Sequence, residues 1–365
     1  MVSDFLRTST LLVATIFSGA LLDWLGFPLP WLIGAILAAA LLGFAGLRYS
    51  VPRWARPVGQ IAVACSIGIL FTPETLLELE TLVLPILLAA FGTIPVGLFS
   101  GWLLSRLSGM DLVSAGLASV PIGPVESANL AGRLGRDPGP IIFSQTLRIV
   151  IIVVIIPATI IGSVELGQDA ADMLRPANWT WAGVSLLALL GCMGAAIAIR
   201  VRLSNPYFLG PLAATALAAM NYLPVTPLPF VGLIAAQILL GAWLGAAFDL
   251  RHLSRNRRQV PAMLTANAVL LTLCLGMAVL ISLGTGIDWH VTVLGTAPGG
   301  VTEMALSAKI LGQGVTTVIA FHVVRVFVIL PIAPWLFGML SHRTKHHQNR
   351  PDSRVQTIDR TKNRK

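Results

Sequence analysis

Apolar residues fall along this chain in long blocks separated by short polar segments. A bilayer core of roughly 30 Å needs about 20 apolar residues per helix. Ten blocks fit that pattern: 8–25, 29–47, 57–72, 82–104 and 139–161, then 179–199, 206–222, 229–248, 260–284 and 314–337. Two further apolar stretches, 112–135 and 291–312, are broken by Pro and Gly and read as re-entrant hairpins rather than plain helices. The first block could pass for a signal peptide, but Asp23 and Trp24 stand where a small-residue cleavage site would lie, so it is read as a retained helix.

The pattern repeats at an offset of 177 residues. Ser119-Val-Pro-Ile-Gly-Pro-Val-Glu126 aligns with Thr296-Ala-Pro-Gly-Gly-Val-Thr-Glu303, and the match continues through Arg148/Arg325 to Pro157/Pro334. Between 119–157 and 296–334 there are 12 identities in 39 positions, with Pro, Gly, Glu and Arg in fixed order. Weaker echoes at nearly the same offset pair Pro30 with Pro206, Gly34 with Gly210, Gln60 with Gln237 and Gly68 with Gly245. The expected organisation is a first membrane repeat (1–162), an extracytoplasmic linker (163–178), a second membrane repeat (179–337) and a basic cytoplasmic tail (338–365).

Charge supplies orientation. The tail past Leu340 holds eight of the 25 basic residues against Asp352 and Asp359, so it carries +6 of the net +9. Cytoplasmic loops are rich in Lys and Arg, which places the tail inside. With the broken segments as hairpins, Arg48, Arg53, Arg56, Arg106, Arg133, Arg136, Arg200, Arg202 and the Arg251, Arg255, Arg257, Arg258 cluster also fall inside. The acidic segments with Glu74, Glu78 and Glu80, and with Glu165, Asp169 and Asp172, fall outside. Five spans per half is an odd number, so the halves should be inverted, one hairpin entering from each side. Secondary transporters are often built this way, with sites near the midplane. Both termini would be cytoplasmic, in a bacterial inner membrane.

Composition agrees: 55% of residues are apolar and 11% charged, where soluble domains hold roughly 45–50% and about 25%. A soluble globule is excluded. The fold class expected is an all-α polytopic membrane protein of two inverted repeats, each with about five transmembrane helices and one re-entrant hairpin. Cys65, Cys192 and Cys274 stand alone in apolar runs and read as packing residues.

Chemistry concentrates in the repeated Pro-x-Gly-x-x-Glu unit. Pro121 and Gly123, and Pro298 and Gly300, break each hairpin, and Glu126 or Glu303 falls in the first turn of the next half-helix. Twenty-two residues later comes Arg148 or Arg325. An unpaired charge inside a membrane costs at least about 2.5–3.5 kcal/mol, so Glu–Arg pairing is the economical expectation. Each glutamate can be a third-position cap of its own half-helix, a substrate or ion ligand, or both. Gln145 and His322 sit three residues before the arginines, on the same helix face. His322 can relay protons or simply join helices. Gln60 and Gln237 can reach the hairpins or bond across helices, with Ser127, Asn129 and Thr302 as further lining positions. Gly97-x-x-x-Gly101 and Gly241-x-x-x-Gly245 permit close helix contact. His290, His322, His342, His346 and His347 lack metal-site spacing, and no phosphate loop or nucleophile elbow is visible. No metal, cofactor or enzymatic activity is expected.

On Val120–Glu126, Gly295–Glu303 and Phe321-His-Val-Val-Arg325, the chain resembles the bacterial membrane AbrB family, whose members carry a duplicated AbrB membrane domain, over residues 8 to 337. That resemblance implies either an ammonia monooxygenase, the label some members carry, or a regulator of gene expression. The residues support neither directly: metal-ligand spacing is absent and no DNA-reading module is present. The reading they favour is a permease for a small polar or charged solute, proton- or sodium-coupled, centred on Glu126, Glu303, Arg148 and Arg325. A membrane sensor acting indirectly on gene expression is the alternative. The partners expected are the lipid bilayer and the solute, not nucleic acid, with homo-oligomerisation left open.

Overall fold

The computed structural model describes residues 2–47, 49–161, 178–246, 259–312 and 314–348. Arg48, most of the linker with Glu165, Asp169 and Asp172, the Arg251–Arg258 cluster, and the tail from residue 349 lie outside the described residues. Everything regular among the described residues is helical. In chain order the helices are α1 (Val2–Trp24), α2 (Pro30–Phe44), α3 (Ala55–Gly68), α4 (Pro73–Thr81), α5 (Val83–Ser108), α6 (Leu112–Ser119), α7 (Pro124–Arg133), α8 (Pro138–Ile161), α9 (Trp181–Arg200), α10 (Pro206–Met220), α11 (Phe230–Ala246), α12 (Val260–Thr285), α13 (Trp289–Thr296), α14 (Val301–Leu311) and α15 (Val315–Gln348).

Five of these, α5, α8, α9, α12 and α15, are long and apolar enough to cross a membrane. Their outward faces carry large apolar side chains such as Leu84, Phe91, Ile197, Leu280 and Leu283. Contiguous exposure of that kind suits acyl chains rather than water. Exposed Trp24, Trp54, Trp181 and Tyr222 stand at or just beyond helix ends, where amphipathic rings meet headgroups. The chain is a polytopic membrane protein.

Of the ten candidate spans, three are helices too short to pass as full crossings by length. Helices α2 and α10 have 15 residues and α11 has 17, about 22–26 Å of rise. Helices α2 and α10 begin where the blocks do, Leu29 and Asn205 at φ 49° and 52° preceding Pro30 and Pro206, but α2 stops at Phe44 rather than 47 and α10 at Met220 rather than 222. The block 57–72 is also corrected. Helix α3 stops at Gly68, and Thr72 and Thr75 form a reciprocal capping box with Pro73 at the first position of α4. The acidic stretch assigned to a loop is therefore a helix, bent 90° from α3.

The broken stretches form short helix pairs, α6/α7 and α13/α14, interrupted at 120–123 and 297–300. Helices α5, α6, α7 and α8 begin 177 residues before α12, α13, α14 and α15.

The helices gather into two groups. In one, α1 and α11 pack on α2, α10 and α11 on α3, and α9 on α10. In the other, α5 packs on α6, α12 and α15, while α13 packs on α12 and α15. Glycines allow the close approaches: a Cβ on Gly241 or Gly245 would strike backbone of α2, and one on Gly101 would lie 2.7 Å from the Gly116 Cα of α6. A large apolar cluster fills the seam between groups, with Leu32, Ile33, Val63 and Leu240 from one side and Ile149, Ile152, Met304 and Leu306 from the other.

Candidate functional site

The two hairpins are assembled by the same local chemistry. Asp111 and Asp288 cap α6 and α13, accepting from the Ser114 amide at 3.2 Å and the His290 amide at 2.8 Å. The half-helices end before Pro121 and Pro298, which cannot continue them. Gly123, at φ 117°, and Gly300 then cap α7 and α14, with Glu126 and Glu303 in the first turns. Each carboxylate folds back over its own starting glycine: a Cβ on Gly123 would lie 2.6 Å from Glu126 Oε2, and one on Gly300 would overlap Glu303 Oε2. Both acids thus lie at the positive end of a helix.

Arg148 and Arg325 do something other than pair with them. Among the described residues no ion pair within 4.0 Å joins either arginine to either glutamate, which corrects the expected pairing. Arg148 donates to the Ser119 carbonyl at 2.7 Å and to Gln145 Oε1. Arg325 donates to the carbonyls of Ala297 at 2.7 Å and Gly299 at 3.0 Å, and to His322 Nδ1. Both guanidiniums therefore sit on carbonyls at the broken, C-terminal ends of α6 and α13. Those carbonyls have no helical partner, and the end of a helix carries about half a negative charge.

Gln145 and His322 complete the scaffold. Gln145 Nε2, with two hydrogens to give, lies within hydrogen-bond distance of the carbonyls of Leu117 (2.8 Å) and Val120 (2.9 Å) and of Ser127 Oγ (2.9 Å). His322 Nε2 meets the Leu294 carbonyl, 177 residues after Leu117, at 2.9 Å. A third buried cation follows the same rule. Lys309 Nζ donates to the Ser66 carbonyl at 2.7 Å, in the last turn of α3. Charges buried here are thus balanced by helix ends.

The hairpins meet the other helix group at a cavity of about 80 Å³. Glu126, Gln145, Arg148, Glu303, Arg325 and Gln60 line it, together with Pro121, Gly123, Gly300 and Thr302. Gln60 Nε2 reaches Thr302 Oγ1 at 3.4 Å, linking α3 to α14. Ser204 Oγ donates to Glu126 Oε1 at 3.0 Å. Two wider cavities share its lining, one of about 390 Å³ bearing Arg133 and Arg202, the other about 510 Å³ bearing Arg53. His322, Gln237 and Pro298 are absent from the lining, and Gln237 Oε1 is buried without a hydrogen-bond partner among the described residues. Asn129 lines the cavity beside Arg133. No group of three or more His, Cys, Asp or Glu among the described residues is placed to hold a metal.

Four residues escaped the sequence reading, three lining the cavity and Lys309 outside it. Arg56, assigned to a loop, lies in α3 with its guanidinium 4.3 Å from the centre of the Trp243 ring. Ser204 and Asn205 approach from the start of α10. Lys309 did leave a signal: it is the one lysine before residue 345.

A helical membrane protein with two broken hairpins converging on a charged cavity is the class that these features define. The chain belongs to the AbrB family: a family model described as "Transition state regulatory protein AbrB" matches residues 8–341. It is similar to "Putative regulator AbrB" of Escherichia coli (strain K12), at 27% identity over 320 residues covering 86% of this chain and 90% of that protein. It is also similar to "Uncharacterized protein YhjN" of Bacillus subtilis (strain 168), at 23% identity over 349 residues, covering 89% and 90%. Neither name carries a monooxygenase activity.

Proposed function

We propose that this protein is a secondary transporter or permease of the bacterial inner membrane, carrying a small polar or charged solute through the cavity between the hairpins and the α3/α10/α11 helices. The observation that carries this reading is the convergence of Glu126, Arg148, Glu303 and Arg325, two residues from each half, on one cavity. Its neighbouring openings bear Arg53, Arg133 and Arg202, and basic loops mark the cytoplasmic side. These arginines support a reading in which the site faces the cytoplasm, the halves are inverted about it and both termini are cytoplasmic. The solute moves with protons or sodium.

The test uses purified protein in proteoliposomes on a solid-supported membrane, challenged with amino acids, organic acids and organic cations. Solute-dependent currents are expected from the natural protein and are lost in Glu126→Gln and in Glu303→Gln, with both variants assembled. Full currents in the double variant refute the reading. A second reading, a membrane sensor signalling through its tail, is favoured by the word "regulator" in the names of the family and the Escherichia coli relative. Removal of residues 342–365 separates the two: a gene-expression phenotype lost with currents intact favours the sensor.

A further inference from the structure

We infer that the cavity takes a small carboxylate anion, gripped by Arg56 against the ring of Trp243; the inference rests on the solute-site reading above and names the solute's class. Across the central cavity and its two openings the lining carries six arginines (Arg53, Arg56, Arg133, Arg148, Arg202 and Arg325) and two glutamates, Glu126 and Glu303. Both acids are committed to helix starts, although they also act on Arg56 through space. They lie over the starts of α7 and α14, and Glu126 accepts from Ser204. Arg148 and Arg325 are committed too, to the carbonyls that end α6 and α13.

Those same bonds argue against a cation as the solute. The carbonyl oxygens released by each hairpin break are the natural ligands for a metal or ammonium ion, and the arginines cover them. Arg56 differs. Among the described residues its guanidinium makes no ion pair and no hydrogen bond, and it is half-buried on the Trp243 face. A guanidinium stacked on an aromatic ring keeps its planar fork free for a two-pronged contact with a carboxylate.

The surroundings complete a carboxylate site. Gln60 and Thr302 share the cavity with Arg56 and offer an amide and a hydroxyl. Leu240, Val301 and Ile149 supply an apolar wall for a short carbon chain. A volume of about 80 Å³ suits a molecule of a few heavy atoms. Leu233 occupies the position 177 residues after Arg56, so the grip belongs to one half alone.

Purified natural protein, Arg56→Gln and Arg56→Lys are titrated in detergent with sodium acetate, lactate and succinate, with acetamide and lactamide as neutral counterparts, and with sodium nitrate and tetramethylammonium chloride. Thermal unfolding reports binding. At least one carboxylate is expected to raise the unfolding temperature while its amide, nitrate and tetramethylammonium do not. Arg56→Gln weakens that response at least about tenfold, and Arg56→Lys restores part of it. Equal response to amides or nitrate, response to tetramethylammonium alone, an unaltered response in Arg56→Gln, or no carboxylate response at all overturns the inference. Binding is read without a gradient, so carboxylate binding without flux in liposomes upholds this inference and sinks the transporter. Flux of an organic cation without carboxylate binding does the reverse.

Discussion

Arg325 donates to Nδ1 of His322 at 2.7 Å, and this fixes the state of the histidine. Nδ1 accepts, so Nε2 carries the hydrogen and donates to the Leu294 carbonyl at 2.9 Å. A second proton would have to sit on Nδ1, facing a guanidinium. His322 is therefore a neutral strut that holds the arginine, as Gln145 holds Arg148. His322→Gln should preserve unfolding temperature and leave the pH profile of solute currents unchanged. His322→Leu strips two buried partners and should cost about 1–3 kcal/mol, read as a lower unfolding temperature. A His322→Gln profile displaced along the pH axis would contradict the assignment.

The carbonyls under Arg325 set the next expectation. Arg325→Met exposes those of Ala297 and Gly299 to an apolar interior and should destabilise the protein by roughly 2–5 kcal/mol. Arg325→Lys cannot span both carbonyls and His322, and should fall between the two in detergent unfolding. A Met variant as stable as the natural protein would show that the hairpin break needs no cation.

Gly300 is required by its neighbour. Ala there would push Glu303 off the start of α14, so Gly300→Ala should reduce solute currents severely with little loss of expression. Gly123→Ala should cost more stability, because φ 117° is also hostile to a side chain. Equal currents in Gly300→Ala and the natural protein would detach the carboxylate position from activity.

Gly245→Val should separate α11 from α2 and abolish a folded yield on size-exclusion chromatography, because its Cβ would strike the Ile36 carbonyl. Gly284→Val, where no atom lies within 4 Å of the added carbon, should be neutral.

Topology has its own measurement. In a background lacking Cys65, Cys192 and Cys274, single cysteines at Arg133 and Ile310 should react with membrane-impermeant maleimide from opposite sides. Reaction from one side for both would refute inversion.

Much of this was readable in advance, for local reasons. Pro121, Gly123 and Glu126, and their partners, announce a helix stop, a start and a first-turn acid within six residues, and α6/α7 and α13/α14 obey. Charge partnership was not readable. Spacing shows that Glu126 and Arg148 exist, but the free carbonyls of Ser119, Ala297 and Gly299 appear only once the hairpin breaks in three dimensions. Arg56 was hidden because α3 starts at Ala55 rather than 57 and so draws the residue out of a loop. The short α2 and α10 escaped because the apolar runs continue through 47 and 222 while the helices cap at Ala45 and Asn221.

Each hairpin is neutralised by the helix that follows it: Arg148 and Gln145 ride on α8, Arg325 and His322 on α15. The seam toward α2, α3, α10 and α11 is mostly apolar, crossed by the bonds Gln60–Thr302, Lys309–Ser66 and Ser204–Glu126. Apolar contact has no preferred direction. Any shift of the hairpin group along this plane would leave its guanidiniums on their own carbonyls but would break those three bonds. Arg56 and Trp243 belong to α3 and α11 on the far side of the plane, so under the proposed transport such a shift would part them from Arg148 and Arg325.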